Sequence, residues 1–419
     1  MNMNKQKKSS LYLLKNEFHI ETIRYMEETD IEHRKSRGQY FTPKSIIEKL
    51  LKKLPNKKSN LKILDPSCGT GEFLFYAQKY FKKPLLYGWD IENKLIGIAK
   101  GLVPDARLKT TDALKEEYDE KFDFIIGNPP YFEFKPDQDI RAKFGDLING
   151  RANIFSLFIK LGINLLKEGG YLAYVISPSM NNGVYFYKLR NFIVENTNIE
   201  HLEILDDKNL FHKALQTTMI LVLKKTKNKD DYIFRKNGIL IFSEKPSYLE
   251  KVFKNKLTLK DLGFSVKTGK LVWNQNKESL TNSARESIPL IWASNITRNG
   301  LVHPLKNKRF QYVKIKTYDT GPAVVVNRIT GAARSARLKV GIINEGERFI
   351  AENHVNVIYP PAKSKQLEII PSVKEIKSLT LKKIADQLKS EEKIEVIKYI
   401  TGNTQISKTE LENLFPISI

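Results

Sequence analysis

The chain has 419 residues, which is enough for two domains of ordinary size. Its composition, 41% hydrophobic and 28% charged, is that of a globular protein. No stretch approaches the roughly 18 successive apolar residues of a membrane span, and Met1–Lys8 lacks the apolar core of a secretory signal. The single cysteine, Cys68, excludes an intrachain disulfide and fits a reducing compartment. We therefore expect a cytoplasmic protein that makes no membrane contact.

The net charge is the strongest compositional signal. A formal charge of +23 predicts a polyanionic partner, most simply nucleic acid, and hence a nucleoid-associated protein. The alternative is an A+T-rich genome that inflates the lysine content. Such a bias should raise the glutamate content too, so it explains only part of the excess. The histidines and Cys68 show no metal-ligand spacing, and we expect no metal site.

The amino-terminal part has two predicted features. Residues 1–10 predict a disordered basic arm, and apolar residues at near-helical spacing predict a helix over 11–32. Arg37–Pro43 then predicts a loop that leads into another helix. Thr42 would be the N-cap of that helix and Pro43 its first residue.

Strands and helices alternate after this loop. Strands are predicted at 61–64, 85–90, 107–109, 122–126, 171–176, 199–205 and 217–223, and helices at 71–81, 93–100, 154–166 and 187–195. This alternation requires a largely parallel sheet with helices on both faces. Residues 132–152 have mixed charge and three potential breakers, and they predict a mobile loop over the sheet edge.

The alternation ends at Lys224, where a charged linker begins. The part that follows is rich in Asn, Arg, Lys and Trp, with 15 Lys and Arg against 7 Asp and Glu in residues 261–360. A helical tail is predicted from around Ser378. We therefore divide the chain into an arm and helix (1–36), an α/β domain (37–228) and a separate α+β domain (229–419).

The most informative stretch is Asn128–Tyr131, with the sequence Asn-Pro-Pro-Tyr, at the end of the buried strand 122–126. The two prolines fix φ and remove two backbone donors, so the carbonyls of Asn128 and Pro129 cannot enter a helix. The corner formed by Asn128–Tyr131 presents an amide side chain, a free backbone carbonyl and an aromatic ring. Two acceptors can bind both hydrogens of a planar amino group and favour a pyramidal nitrogen, while the ring stacks on the attached plane. The alternative is a proline-stiffened turn without chemistry.

Three other motifs precede this corner and follow predicted strands. Asp65–Gly71 contains two glycines between a strand and a helix, where a ligand can approach the backbone closely. Asp90 ends the next strand, the position at which nucleotide-binding α/β folds hold ribose hydroxyls. Asp112 follows the third strand, although it could also be a simple helix cap.

In this order, Gly38–Pro43, Asp65–Gly71, Asp90, Asp112 and Asn128–Tyr131 resemble the motifs of the γ-class N6-adenine DNA methyltransferases, typified by the Taq methylase. The resemblance covers residues 37–224 densely and the remainder loosely. It implies a Rossmann-like seven-stranded sheet with one antiparallel strand, followed by a target-recognition domain. It also implies S-adenosylmethionine as the cofactor.

The resemblance assigns cofactor contacts residue by residue. Asp65, Gly69 and Gly71 would surround the methionine moiety, and Tyr40 and Thr42 would close it from the amino-terminal side. Asp90 would hold the ribose hydroxyls, with Glu92 as its competitor, and Asp112 the adenine amino group. Ala113 departs from the bulkier apolar residue that we expect beside the cofactor ring.

On the acceptor side, the resemblance implies that Asn128 and Pro129 bind the amino group of a flipped-out adenine. Tyr131 would stack on that base, and Phe211 would stack on its other face, although core packing is the alternative for Phe211. Extrusion of the base is required because a paired base cannot reach such a pocket.

The distal domain contains residue types that read base edges. The candidates form two groups, Lys270, Trp273, Asn274 and Gln275 in the first, and Arg328, Arg334 and Arg337 in the second. For each of them a solvated surface position or a phosphate contact is the alternative.

Together these features predict a site-specific DNA adenine methyltransferase that acts on double-stranded DNA, as a monomer, in a restriction–modification system with a separate restriction endonuclease. The Asn-Pro-Pro-Tyr sequence also occurs in methyltransferases of ribosomal RNA adenine and of a release-factor glutamine amide. The basic distal region and Gly38–Pro43 favour DNA over both. A catalytically silent DNA-binding module is a further alternative, which the intact cofactor loop argues against.

Overall fold

A computed structural model describes residues 16–56, 58–148, 152–181, 186–205, 218–306, 309–328, 338–361, 381–401 and 406–418. The described chain divides into two compact units. The first contains the residues up to Met180 and from Phe186 to Tyr232, and the second contains Asn181 and the residues from Ile233 onward. None of the helices in these ranges is long and apolar enough to cross a bilayer.

The first unit is built from alternating strands and helices. Its strands are β1 (Lys62–Asp65), β2 (Leu85–Asp90), β3 (Arg107–Thr110), β4 (Phe122–Gly127), β5 (Glu133–Phe134), β6 (Ala152–Asn153), β7 (Leu166–Ile176), β8 (Asn198–Leu205) and β9 (Thr218–Lys224). Its helices are α1 (Ile20–Glu28), α2 (Ile31–Ser36), α3 (Lys44–Leu51), α4 (Glu72–Tyr80), α5 (Asn93–Leu102), α6 (Gln138–Phe144), α7 (Ile154–Leu165) and α8 (Tyr187–Asn196).

A seven-stranded sheet forms the centre of this unit, in the order β3-β2-β1-β4-β7-β9-β8. β9 runs antiparallel to both of its neighbours, whereas the pairs from β3 to β7 are parallel. A seven-stranded sheet with one strand antiparallel to its neighbours is what the motif resemblance implies, and it confirms the predicted α/β fold class. Strands β4 and β9 read as apolar runs because helices cover both faces of the sheet.

The helices pack on the sheet through the apolar faces that their sequences predict. In α3, for example, Ile46, Ile47, Leu50 and Leu51 are all buried in one cluster with the strand residue Ile63. Other helices bury their apolar faces in the same way. This packing fixes the strand order and brings the carboxyl ends of β1, β2 and β4 to a single edge.

The structure corrects three local predictions in this unit. The described part of 11–32 is not one helix, because helical residues are interrupted at Phe18 and His19 and again between α1 and α2 at Thr29 and Asp30. Helix α3 begins at Lys44 with Pro43 as its N-cap in an extended conformation, so Thr42 is not the cap. The predicted loop 132–152 contains β5, α6 and β6 in its described part, with Asp137 capping α6 through the Ile140 amide over 3.0 Å.

The second unit is an α+β structure. Its strands are β10 (Ile233–Lys236), β11 (Ile239–Phe242), β12 (Ser265–Thr268), β13 (Leu280–Thr281), β14 (Ile288–Ile291), β15 (Ile296–Thr297), β16 (Gly300–Leu301), β17 (Tyr312–Val313), β18 (Asp319–Thr320), β19 (Ala323–Asn327), β20 (Val340–Ile343), β21 (Arg348–Ala351) and β22 (Val355–Tyr359). Its helices are α9 (Pro246–Phe253), α10 (Leu381–Leu388), α11 (Glu391–Thr401) and α12 (Lys408–Leu414), so the tail is helical from Leu381.

Two sheets organise this unit, an antiparallel one in the order β12-β22-β19-β20 and a mixed one in the order β13-β17-β14-β21-β18. The first is buried on both faces. Val324 and Val326 of β19 face a cluster that includes the helices α10 and α12, and Val325 faces a second cluster with Phe349 of β21. The alternation follows from the two-residue period of a strand.

Candidate active site

A cavity of about 370 Å³ lies at the carboxyl edge of β1, β2 and β4. It is lined by the acids that end β1 and β2, by Asn128 after β4, and by the segment Arg37–Thr42. Of the residues predicted to bind the cofactor, those that line the cavity are Tyr40, Thr42, Asp65, Gly69, Asp90 and Asp112. These cavity-lining residues are distant from one another in the sequence, and the parallel sheet brings them together.

Asp65 is the most deeply buried acid of the cavity, with 1% of its surface exposed. Its Oδ1 accepts a hydrogen bond from the Ser67 amide over 3.1 Å. Burial, with a smaller effect of the nearby Asp90 carboxylate, raises the pKa of Asp65 to about 8. A buried carboxylate beside another acid is stabilised in its charged form by a cationic ligand. The ammonium group of an amino acid moiety fits this requirement.

The glycine loop after β1 is tied to β2 by two hydrogen bonds. The Cys68 amide donates to the Trp89 carbonyl over 2.8 Å, and the Gly69 amide donates to Asp90 Oδ2 over 2.9 Å. Gly71 does not line the cavity. It caps α4 with φ of 90°, and a Cβ there would lie 3.1 Å from the Ala99 Cβ, so its role is close packing of α4 on α5.

Asp90 and Glu92 both line the cavity, and they have different partners. Asp90 accepts backbone amides on both oxygens, from Gly69 and, over 2.9 Å, from Glu92. Burial raises the pKa of Asp90, and those amides oppose the shift. Glu92 instead accepts side-chain donors, Gln39 Nε2 over 2.8 Å and the Tyr25 hydroxyl over 3.4 Å. Asp90 therefore shapes the loops, and Glu92 connects the cavity to α1 and to the Arg37–Thr42 segment.

Asp112 follows β3 and closes a turn. Its Oδ1 accepts the Leu114 amide over 3.1 Å, and no hydrogen bond from the described residues reaches its second carboxylate oxygen, while Asp112 itself lines the cavity. The structure shows no helix at this point, so the helix-cap alternative is wrong. Ala113 is 3% exposed and lines the cavity, together with the larger apolar residues Ile140 and Phe158.

The carboxamide of Asn128 is held by the amino-terminal segment. Its Nδ2 donates to the Tyr40 carbonyl over 2.8 Å and to Thr42 Oγ1 over 3.0 Å. Its Oδ1 is in hydrogen-bond contact with the Tyr131 hydroxyl. Because Tyr40 presents a carbonyl, which can only accept, the orientation of the amide is defined. Oδ1 retains a second lone pair that can accept an amino group.

Not all residues of the Asn128–Tyr131 corner line the cavity. Asn128 and Pro130 line the cavity, whereas Pro129 and Tyr131 do not. The Tyr131 hydroxyl lies within hydrogen-bond distance of the Val175 carbonyl, over 2.6 Å, and of Asn128 Oδ1, and these two acceptors share its single proton. Burial of this hydroxyl raises its pKa well above the usual range. The ring of Tyr131 is partly exposed and lies 6.0 Å from the Tyr40 ring.

The structure adds residues that the sequence reasoning did not select. Glu72, the first residue of α4, lines the cavity at 4% exposure, and its Oε1 accepts the His19 amide over 2.8 Å. Burial raises its pKa. The sequence did contain a signal for Glu72, because an acid in the first turn of the helix after a glycine loop lies close to any ligand bound in that loop.

The segment after the corner covers one side of the cavity. Phe132, Phe134 and Ile140 line it. The segment is attached to the loop after β3 by an ion pair of Lys115 with Asp137, whose Nζ and Oδ2 are 2.8 Å apart. Aromatic rings at this position were not among the predicted site residues.

The described residues among the DNA-reading candidates lie in the second unit, where the segment of the first group meets Arg328 at one turn. The Leu271 amide donates to the Ala351 carbonyl over 3.1 Å, and the Asn353 amide donates to the Leu271 carbonyl over 3.0 Å. Arg328 donates from its backbone to His354 over 3.0 Å and from its guanidinium to the Asn353 carbonyl over 3.0 Å. The turn 352–354 therefore joins the segment 270–275 to Arg328.

The candidate DNA-reading side chains differ in their exposure and in their partners. Trp273 is 43% exposed and begins a 3-10 turn, Trp273–Gln275, whose Asn274 and Gln275 are also exposed. Lys270 pairs with Asp319 over 2.7 Å. The candidates Phe211, Arg334 and Arg337 lie outside the described residues.

Comparison with known proteins agrees with this geometry. The family model for N-6 DNA methylase matches residues 24–296. Type II methyltransferase M.CvrRI of Paramecium bursaria Chlorella virus XZ-6E is 26% identical over 348 residues, which cover 81% of this chain and 88% of that protein. Modification methylase CviBIII of Paramecium bursaria Chlorella virus NC1A is 27% identical, with coverage of 80% and 86%. Type II methyltransferase M.VspI of Vibrio sp. (strain 343) is 29% identical, with coverage of 68% and 77%.

The fold and the site define an α/β methyltransferase, and the chain belongs to the N-6 DNA methylase family. It is a site-specific, adenine-specific DNA methyltransferase, and its cofactor is S-adenosylmethionine. The relationship to N6-adenine DNA methyltransferases that the motif order implied is confirmed, and the alternative of a catalytically silent module is not supported.

Proposed function

We propose that the chain transfers a methyl group from S-adenosylmethionine to N6 of an adenine flipped out of duplex DNA, as the modification enzyme of a restriction–modification system. One observation carries this proposal. Asp65, a buried acid that has no cationic partner among the described residues, and Asn128, an oriented carboxamide, line the same cavity at the edge of the sheet. The first suits the cofactor's amino acid moiety and the second suits an amino group that is to be methylated.

The cofactor would be held along the edge of β1, β2 and β3. Asp65, with Glu72 nearby, would face the ammonium group, and Asp90 would use its remaining lone pairs for ribose hydroxyls. The free oxygen of Asp112 would accept the adenine amino group of the cofactor. Bound there, the cofactor supplies a methyl group on a positively charged sulfur.

The residues of the corner would prepare the acceptor. Asn128 Oδ1 and the Pro129 carbonyl would accept the two hydrogens of the adenine amino group, which directs the nitrogen lone pair towards the methyl group. Positive charge develops on this nitrogen during the transfer, and the two oxygens stabilise it electrostatically. The nitrogen forms its bond to the methyl group as the carbon–sulfur bond breaks, and the proton that the methylated nitrogen then loses leaves through Asn128 or water. The reaction needs alignment and no covalent enzyme intermediate.

The adenine would leave the duplex to reach this corner, because its amino group is otherwise paired. Tyr131 would stack on one face of the base and Phe211 on the other. The cost of extrusion, on the order of a few kcal/mol, would be offset by this stacking and by phosphate contacts.

The second unit would provide target recognition. The turn 352–354, the segment 270–275 and Arg328 lie together at the edge of the sheet formed by β12, β22 and β19, and they offer amides, a guanidinium and an exposed indole. These groups can bind phosphates and base edges. We propose that the enzyme acts as a monomer and that a separate restriction endonuclease recognises the same sequence.

One experiment tests the proposal. The chain is expressed in a host that lacks DNA methylation, and the host DNA is read by single-molecule sequencing. We expect N6-methyladenine at one position of one short sequence motif. Unmodified DNA from cells that contain the folded protein, or methylation of a base other than adenine, would contradict it. A matched culture that expresses Asn128→Ala controls for host modification.

A further inference from the structure

The hydroxyl of Thr42 has a partner that its predicted role does not explain. Thr42 is 3% exposed, and the motif resemblance assigned it to the cofactor. In the structure its Oγ1 accepts a hydrogen bond from Asn128 Nδ2 over 3.0 Å. It takes no part in capping α3, because Pro43 is the N-cap. The hydroxyl is therefore directed at the acceptor side of the cavity.

Tyr40 completes the arrangement through its main chain. The two hydrogens on Nδ2 of Asn128 meet two acceptors, the Tyr40 carbonyl at 2.8 Å and the Thr42 hydroxyl. If the carboxamide were rotated by half a turn, its oxygen would face the Tyr40 carbonyl oxygen, and two acceptors would repel each other. The segment Tyr40–Thr42 thus selects the rotamer in which Asn128 Oδ1 contacts the Tyr131 hydroxyl and keeps a second lone pair for the substrate.

The same contacts alter the strength of Oδ1 as an acceptor. Hydrogen bonds polarise one another, so an amide whose N–H groups both donate carries more negative charge on its oxygen. This matters in the transition state more than in the ground state, because the adenine nitrogen gains positive charge as the methyl group arrives.

The approach of the two segments depends on a glycine. Gly38 has φ of 62°, and a Cβ there would lie 2.6 Å from the backbone nitrogen of Tyr131. The main chain of the amino-terminal segment therefore packs directly on the corner 128–131. This close packing allows a residue 86 positions away in the sequence to contact the Asn128 amide.

We propose that Thr42 is a positioning residue for methyl transfer, acting through the carboxamide of Asn128. The inference rests on the proposed function, in which Asn128 binds the adenine amino group. It predicts a slower chemical step at saturating cofactor, whereas a role in cofactor binding alone predicts a weaker cofactor affinity and an unchanged rate.

The test compares Thr42→Val, which keeps the shape and loses the acceptor, with Thr42→Ser, which keeps the hydroxyl. For the full-length protein, the rate of a single turnover is measured with labelled S-adenosylmethionine and unmethylated DNA that contains the target sequence. Cofactor affinity is measured by calorimetry. We expect Thr42→Val to lower the single-turnover rate about 10-fold, as loss of one hydrogen bond to a reacting group does. Its cofactor affinity should stay within about twofold of the wild type, and Thr42→Ser should restore most of the rate.

A double variant separates positioning from a structural role. In an Asn128→Ala background, Thr42→Val should lower the residual rate no further, because the residue through which it acts is absent. Additive losses would overturn the proposal.

Two other results would also overturn it. One is an unchanged rate in Thr42→Val. The other is weakened cofactor binding with an unchanged rate at saturating cofactor, which would return the hydroxyl to the cofactor. If Thr42→Val does not fold, Thr42→Ala takes its place, and loss of cofactor binding in both counts against the proposal. Failure of the proposed function is distinct, since the wild type itself would then not methylate adenine.

Discussion

Asp90 Oδ2 accepts the Gly69 amide over 2.9 Å, so the acid that ends one strand holds the glycine loop that follows its neighbour. One side chain thereby shapes the loop and faces the cavity. We expect Asp90→Ala to weaken S-adenosylmethionine binding by about 1–3 kcal/mol, since it leaves a buried amide and the ribose hydroxyls without an acceptor. Isothermal titration calorimetry of S-adenosylmethionine binding measures this loss of affinity.

Glu92→Gln is the matched comparison, because Glu92 lines the same cavity but binds Gln39 and the Tyr25 hydroxyl. A larger loss of affinity in Glu92→Gln than in Asp90→Ala would assign the ribose to Glu92.

The corner is expected to act on the acceptor and not on the cofactor. Asn128→Ala and Tyr131→Ala should retain cofactor binding and lose most of the methyl transfer, because the first removes Oδ1 and the second removes the stacking ring. Turnover with labelled cofactor and calorimetry measure the two quantities. Asn164→Ala, at an exposed position of α7, is the control. Undiminished turnover in Asn128→Ala would place the active site elsewhere.

The pH dependence of the cofactor-free protein should reflect Asp65. Its folded-state pKa, about 8, lies above the ordinary value for an aspartate, so the folded state binds a proton that the unfolded state releases. The free energy of unfolding should therefore decrease as the pH rises from about 4 to about 8, by an amount on the order of a few kcal/mol from this group. In Asp65→Asn this contribution should disappear, which denaturant titrations across that range would reveal.

The same acid predicts the sign of proton linkage in binding. A cationic ligand favours the charged carboxylate, so S-adenosylmethionine binding should release a proton and become tighter between pH 6 and 8. Calorimetry in buffers of different ionisation enthalpy measures the release. An equal release by Asp65→Asn would exclude this acid as its source.

Gly38 should tolerate no side chain. Gly38→Ala would place a Cβ 2.6 Å from the Tyr131 backbone nitrogen at a φ of 62°, so we expect a loss of about 1–3 kcal/mol in stability and a lower methylation rate. Gly97→Ala is the matched control. It lies in α5 with nothing within 4 Å of the added Cβ, and we expect it to be neutral or stabilising by up to about 1 kcal/mol. Thermal unfolding of both variants, with turnover assays, tests the pair.

DNA binding should depend strongly on salt. Lys270→Ala should weaken binding to all duplexes alike and reduce the slope of log K against log salt by about one if Lys270 contacts a phosphate. Asn274→Ala or Gln275→Ala should instead relax discrimination at one base pair. Filter binding across a salt series distinguishes the two, with Lys251→Ala on α9 as the control. Unchanged affinity and specificity in all three variants would exclude the 270–275 segment from the interface.

Local patterns in the sequence predicted most of the first unit. The apolar runs of β4 and β9 and the apolar face of α3 are defined by a few neighbouring residues, and the structure places them within one or two residues of the prediction. The motif order predicted the seven-stranded sheet and the cofactor. The predicted helix boundaries were less accurate where a proline or a short turn sets the beginning or the end of a helix, as at Pro43 and in 132–152.

What the sequence alone determined is therefore the set of elements and the types of reactive group, because both depend on short-range periodicity and on the chemistry of single residues. The partners of those groups were decided only by the tertiary structure. Nothing near Thr42 in the sequence indicates that its hydroxyl meets Asn128, and nothing near Asp65 indicates that burial beside Asp90 raises its pKa. Both effects arise from packing between segments distant in the chain, which sets the distance, orientation and solvent exposure on which hydrogen bonds and charges depend.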